Sequence, residues 1–473
     1  MKCTAALTLA ANLLPLTNAI QLAKRDPSTA PKVLGLDIER RNDISDLVKR
    51  DQERRWKRSA VVKESLDNLE TLYFANASLG TPKQTMRLHI DTGSSDLWVN
   101  SASSSLCSSR TDPCKVSGTY SANDSSTYEY VNSKFNISYV DGSGAAGDYV
   151  TDTFWFGSQN LTDMQFGVGY TSSSGEGVLG IGFAINEVAV NRAQLDPYPN
   201  LPQLLVNKDL IQSSAYSLWL NDLDASTGSI LFGGVDTEKY HGTLQTLPIL
   251  QENGKYREFV IALTGVGYNG ESDTFYDGAA SVLLDSGSSL MYLPDDVAES
   301  IYDEVGAEYS EEQGAAFIDC AAANKDDTLE FKFSSPTISV PMNELVIVAG
   351  YNNGEPVCFF GVAKAGSSSS VLGDTFLRSA YVVYDLENNE ISLAATNFNS
   401  TSSNVVEIGT GDNAVPNATV VADAVSTVAG STGGARVGSP KISDSEAAAV
   451  PVMTAMPKMA FAAAAGAGLL FAL

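Results

Sequence analysis

Two short segments of this 473-residue chain carry the same chemistry. Leu88-His89-Ile90-Asp91-Thr92-Gly93-Ser94-Ser95 is echoed by Val282-Leu283-Leu284-Asp285-Ser286-Gly287-Ser288-Ser289. In each, an apolar strand runs into Asp, then a hydroxyl residue, then Gly. An Asp that follows a buried strand is costly unless it is partnered. Gly93 and Gly287 allow a tight turn and close backbone approach. The hydroxyls of Thr92, Ser94, Ser286 and Ser288 can hydrogen-bond the carboxylates or the neighbouring backbone. If a two-fold axis relates the copies, Asp91 and Asp285 partner each other. Two carboxylates about 3 Å apart cannot both ionise, so they share one proton and titrate as a pair. The ionised member can take a proton from a bound water while the neutral one donates to a carbonyl oxygen. That is metal-free general acid–base hydrolysis of an amide.

The elements that must hold these aspartates repeat as well. Val178-Leu179-Gly180 ends 89 residues after Asp91, and Val371-Leu372-Gly373 ends 88 residues after Asp285. Two motifs recurring in order at nearly equal spacing imply two related halves, joined around residues 240 to 265. The body, about Ser59 to Asn399, reads as mostly β. Runs such as Phe135-Asn136-Ile137-Ser138-Tyr139 and Ala380-Tyr381-Val382-Val383-Tyr384 alternate with Gly, Asn, Asp and Ser turn signals. Helical patterning is confined to Val297–Val305 and Leu201–Lys208. Roughly 340 residues exceed what one core supports, so the expectation is an N-terminal lobe over 59–250 and a C-terminal lobe over 251–399.

Charge divides the chain further. The formal net charge is −26 and 18% of residues are charged. So negative a balance excludes a nucleic-acid partner, which needs a basic footprint. Two His in the whole chain disfavour His-based catalysis and multi-His metal sites. Lys2 followed by the apolar run Ala5–Leu16 reads as a signal peptide over 1–19. Residues 20–58 hold five dibasic pairs, the last being Lys57-Arg58, and read as a propeptide removed by a processing protease cutting after Arg58. Residues 1–58 contain 12 basic and 7 acidic residues, which leaves the remainder at −31. A basic prosegment complements such a body. From 400 to 445 the chain is rich in Ser, Thr, Ala, Val and Gly, nearly without aromatics, and reads as an unfolded, O-glycosylated stalk. Small residues around Ser445, a spacer and the terminal apolar run Met459–Leu473 form a glycolipid (GPI) attachment pattern over 446–473, with Ser445 or a near neighbour carrying the anchor. Sequons at Asn76, Asn123, Asn136, Asn160, Asn399 and Asn417 fit a secreted glycoprotein. Without Cys3 in the signal, Cys107, Cys114, Cys320 and Cys358 allow three disulfide pairings. They lack the spacing and His partners of a zinc site.

With Asp91-Thr92-Gly93-Ser94-Ser95 followed by Leu97-Trp98-Val99, the chain resembles the pepsin family of aspartic proteases over about residues 70–397. Its organisation is similar to that of the fungal yapsins and candidapepsins. The resemblance implies an all-β, bilobal fold with two pseudo-two-fold-related lobes, an endopeptidase acting on proteins and peptides, no cofactor and no metal. A monomer held to the membrane by its GPI lipid is expected. It implies Asp91 and Asp285 as the catalytic dyad, supported by Gly93, Ser94, Gly287 and Ser288. It also implies the disulfides Cys107–Cys114 and Cys320–Cys358. The second copy reads Asp-Ser-Gly-Ser where the family more often has Asp-Thr-Gly-Thr, which keeps the hydroxyl and loses a methyl. Tyr139-Val140-Asp141-Gly142-Ser143-Gly144 resembles the flap over the substrate, with Tyr139 as the flap tyrosine, Trp98 as its indole partner, and Asp141 and Gly142 at the tip. Val140 stands where the family has Gly. His89 and His241 read as surface or strand residues, and Trp155 and Trp219 as core. A second reading is a pepsin-fold wall protein that binds without cutting; both intact motifs disfavour it. Cleavage near basic residues and cleavage after large apolar ones are equally compatible with the sequence. At acidic pH a Lys- and Arg-poor surface escapes self-repulsion, so stability is expected to peak on the acid side of neutrality.

Overall fold

Strand Gln84–Asp91 alternates in burial at its start and is buried at every position over its last four residues, Leu88–Asp91. The change marks where it acquires a parallel neighbour, Gly177–Gly180, since a strand flanked in parallel is covered on both faces. The computed structural model describes residues 32–40, 72–139, 143–156, 159–225, 227–311, 313–352 and 354–428. The signal peptide, the cut after Arg58, the GPI site at Ser445 and the flap-tip residues Asp141 and Gly142 fall outside the described residues.

The two halves repeat one strand pattern. Gly177–Gly180 also pairs antiparallel with Leu97–Asn100, which runs parallel to Gln159–Ser172. In the second half, Glu271–Leu284 runs parallel to Ser370–Leu372. That strand pairs antiparallel with Met291–Leu293, which runs parallel to Val362–Lys364. The first set lies in a 14-stranded sheet and the second in a 7-stranded sheet. Helices are few. Asp295–Val305 buries Val297, Ala298, Ile301, Tyr302 and Val305 as one stripe and stops at Gly306, whose φ of 77° favours a residue without Cβ. Disulfides join Cys107 to Cys114 and Cys320 to Cys358.

Three features depart from the sequence reading. Strands Ala380–Asp385 and Glu390–Thr396, late in the chain, pair with Ala215–Trp219 and Tyr240–Pro248. A boundary at residue 250 therefore cuts through the large sheet. Tyr381, Val382 and Val383 are buried in succession and need a neighbour on each side; Glu390–Thr396 supplies one and Ala215–Trp219, from the first half, the other. Next, Leu34–Arg40, inside the expected propeptide, is a strand between Thr227–Phe232 and Tyr73–Leu79, with Leu36 and Ile38 buried. Finally, residues 400–428 are not an unfolded stalk. Val405–Glu407 pairs with Gly234–Asp236, and Thr419–Val420 with Tyr240–Pro248. Ile408, Val415 and Val421 are buried. The Asp236 carboxylate accepts from Ser403 Oγ and Asn404 N, both at 2.7 Å. Average composition conceals three apolar residues, each of which fills a gap once the backbone is paired.

Candidate active site

Each catalytic-type Asp ends a strand and turns at once into a glycine. The Gly93 amide donates to Asp91 Oδ1 at 2.9 Å, and Ser94 Oγ donates to Asp91 Oδ2 at 2.5 Å. The other half repeats both contacts: Gly287 N to Asp285 Oδ1 at 2.8 Å and Ser288 Oγ to Asp285 Oδ2 at 2.9 Å. Asp91 and Asp285 are buried, at 0% and 2% exposure.

The residues between the Asp and Gly lock the two loops together. Thr92 Oγ1 donates to Leu284 O at 3.0 Å and accepts from Ser286 N at 3.0 Å. Ser286 Oγ donates to Ile90 O at 3.0 Å and accepts from Thr92 N at 3.2 Å. Ser286 thus performs every hydrogen bond its threonine counterpart performs. The glycines then let the carboxylates meet. A Cβ on Gly93 would lie 2.5 Å from Asp285 Oδ1, and one on Gly287 would lie 2.5 Å from Asp91 Oδ1. Each loop's missing side chain is the space the opposite carboxylate occupies.

The Val-Leu-Gly segments support the loops from below. Ile181 N donates to Asp91 O at 3.0 Å and Asp285 N donates to Leu372 O at 3.1 Å. A Cβ on Gly180 would meet Asp96 N at 2.7 Å, and one on Gly373 would meet Ser288 O at 2.2 Å. Two buried carboxylates, each fixed by a hydroxyl and an amide and both facing one point, are what acid–base hydrolysis requires. Among the described residues no group of three or more His, Cys, Asp or Glu is placed to hold a metal ion.

The profile of the eukaryotic aspartyl protease family matches residues 72–396. The chain belongs to this family. It is 57% identical over 432 residues, 90% of this chain and 88% of the relative, to the "Probable aspartic-type endopeptidase opsB" of Aspergillus oryzae. "Secreted aspartic protease 1" of Candida albicans is 39% identical over 74% of this chain and 88% of its own length. The crystal structure of an aspartic proteinase from Irpex lacteus matches in fold with a TM-score of 0.60 at 21% identity, covering 79% of this chain and 100% of that one. This aspartyl protease is an aspartic endopeptidase with the pepsin-like, bilobal β fold.

The remaining expected residues of the protease fall into place unevenly. Trp98 Nε1 donates to Tyr139 OH at 2.6 Å, and Tyr139 N donates to Ser143 O at 2.8 Å. All six sequon asparagines, at 76, 123, 136, 160, 399 and 417, are exposed. His241 is exposed, whereas His89 is a buried strand residue with Nε2 3.3 Å from Ser286 O. Trp219 is buried, but Trp155 is only half-buried, donating to Gly80 O at 2.9 Å beneath Lys83. Sequence reasoning passed over Asp96, Glu187, Glu344 and Arg378, all of them buried. Asp96 did leave a signal, being an ionisable residue set directly before the buried strand Leu97–Asn100. The other three left none.

Proposed function

We propose that this endopeptidase is exported as a zymogen, held at the cell surface by a C-terminal glycolipid, and works at acidic pH with Asp91 and Asp285 as its dyad. The observation that carries the dyad is the mirrored geometry: each carboxylate fills the space left by the other loop's glycine. Carboxylates this close hold one proton between them. The ionised one draws a proton from a water lying between them, and the water oxygen bonds to the scissile carbonyl carbon. The protonated one gives its proton to the carbonyl oxygen. When the tetrahedral intermediate collapses, the C–N bond breaks and the nitrogen leaves with a proton returned from the dyad. Tyr139, fixed by the Trp98 indole, is the flap residue that closes over protein or peptide substrates.

Export is supported by the printed name of the Candida relative and by the exposure of all six sequons. Surface anchoring rests on the terminal run Met459–Leu473 behind small residues around Ser445. The decisive experiment is digestion of an unfolded protein at pH 4 by the wild type, Asp91→Asn and Asp285→Asn. Each variant is expected to lose roughly 10³-fold or more in kcat. Either one retaining wild-type activity overturns the dyad. Treatment of intact cells with a phosphatidylinositol-specific phospholipase is expected to release the enzyme into the medium. Retention on treated cells counts against the anchor.

A further inference from the structure

Behind the flap the first half of the molecule buries two carboxylates that the reaction does not use. Asp96 lies five residues beyond Asp91 and is 1% exposed. Its Oδ1 accepts from Tyr149 OH at 2.6 Å and Tyr198 OH at 2.9 Å, and its Oδ2 accepts from Val188 N at 2.9 Å. Glu187, the residue before Val188, is 0% exposed. Its Oε2 accepts from Tyr198 N at 3.0 Å, while its Oε1 is buried with no hydrogen-bond partner. Tyr198 therefore touches both carboxyl groups, one through its hydroxyl and one through its amide.

Three elements converge on this pair. The catalytic loop brings Asp96, strand Gly144–Phe156 on the return side of the flap brings Tyr149, and segment 187–198 brings Glu187 and Tyr198. Around them Trp98, Phe135, Tyr139, Tyr149, Val178 and Tyr198 pack in one apolar cluster. The charged and titratable groups that act on the pair are Tyr149, Tyr198 and Arg192. Arg192 spends its guanidinium on Asn136 O and the Ser138 side chain, on the flap's leading strand. Burial and the nearby carboxylate push both tyrosines above their usual range, so they remain hydroxyl donors.

The hydrogen-bond supply is unequal. Asp96 receives three donors, which offset part of the burial that pushes its carboxyl above the ordinary carboxylate range. Glu187 receives one donor and has an orphan oxygen, which is costly for a carboxylate and much less so for a neutral acid. We propose that Glu187, kept as a neutral acid beside Asp96, is a positioning residue that docks segment 187–198 onto the catalytic loop and the flap root, and that its ionisation undocks them as pH rises. Burial first, then the Asp96 charge, pushes the Glu187 carboxyl up to about 10 from its ordinary 4.5. Because the folded value is raised, the contribution to stability is whole below about 4.5 and is lost progressively as pH climbs toward about 10. This deepens the acid-pH reading above and rests on it for its relevance to catalysis.

The test measures Tm and kcat/KM from pH 4 to pH 9 for the full enzyme, Glu187→Gln and Asp96→Asn. Glu187→Gln is expected to keep the wild-type Tm at pH 4. Its loss of Tm with rising pH should move up by about one pH unit or more, and the loss of kcat/KM should move with it. Asp96→Asn removes the neighbouring charge, the second cause of the raised Glu187 carboxyl, and should make the fall of Tm level off at a lower pH than in the wild type. A glutamine variant whose Tm falls with pH as steeply as the wild type overturns the proposal. If that variant does not fold, an Asp96→Asn enzyme whose Tm falls over the same pH range and by the same amount as the wild type overturns it instead. A wild type that cleaves best above neutrality would overturn the acid-pH reading alone, because the comparison of Tm slopes does not depend on it.

Discussion

Five residues past Asp91 the chain has Asp96; five residues past Asp285 it has Leu290. Both positions are buried, and both lie behind loops with the same hydrogen bonds. Behind the first loop the buried polar layer is acidic, with Asp96 and Glu187 set among tyrosines. The second half places its buried charge elsewhere and neutralises it. Arg378 and Glu344 are both 0% exposed, and Arg378 donates from Nε to Glu344 Oε2 and from Nη2 to Glu344 O, each at 2.5 Å. Burial opposes the Arg378 charge most, but Glu344, Tyr73 and Asp374 together outweigh it and hold the guanidinium above its usual value. One half thus meets a buried carboxylate with a proton, the other with a cation. A duplicated catalytic loop does not require a duplicated support, and the proton-dependent support adds a pH sensitivity that the Arg378–Glu344 pair does not.

The largest effect should come from breaking the compensated side. Arg378→Met leaves Glu344 buried without its partner and is expected to cost about 3–5 kcal/mol in urea unfolding. The double variant Arg378→Met/Glu344→Leu should recover most of that loss. It should also keep the wild-type fall of Tm between pH 5 and pH 8, because the acid layer of the other half is intact. A double variant with a flattened pH response would erase the distinction between the halves.

The next test concerns what the halves share. Gly93→Ala and Gly287→Ala each place a methyl where the opposite carboxylate sits and should lower kcat/KM on the order of 10²-fold. Equal losses support a symmetric dyad, and a much smaller loss in one would show that its carboxylate has room to move. The smallest effect is expected at the cross-loop bonds. Thr92→Ala and Ser286→Ala each remove a hydroxyl with one donor and one acceptor bond, at about 1–3 kcal/mol of stability. Thr92→Ser, which makes the first loop match the second, should cost less than either in the same unfolding experiment.

Much of the site could be read before the fold. Asp91 and Asp285 stand in segments whose chemistry is local: an apolar strand, a carboxylate, a hydroxyl, and a glycine that admits the other copy. Trp98 and Tyr139 were legible through the resemblance to family flaps, and the structure joins them by a hydrogen bond. Strand Leu34–Arg40 was not, since its dibasic surroundings mask Leu36 and Ile38, the two residues that bury it. Nor was the tail, where Ile408, Val415 and Val421 are too sparse to register against a polar average.

The sequence by itself determined the repeat, the two aspartates and the β character, because strand periodicity and glycine turns act over a few residues. Tertiary structure alone decided which buried acids have partners. Nothing near Glu187 in the chain sets its state; Tyr198 is eleven residues on, and Asp96 ninety-one residues back. Burial and the charges of distant residues govern whether a carboxyl keeps its proton, and those distances exist only in the folded molecule.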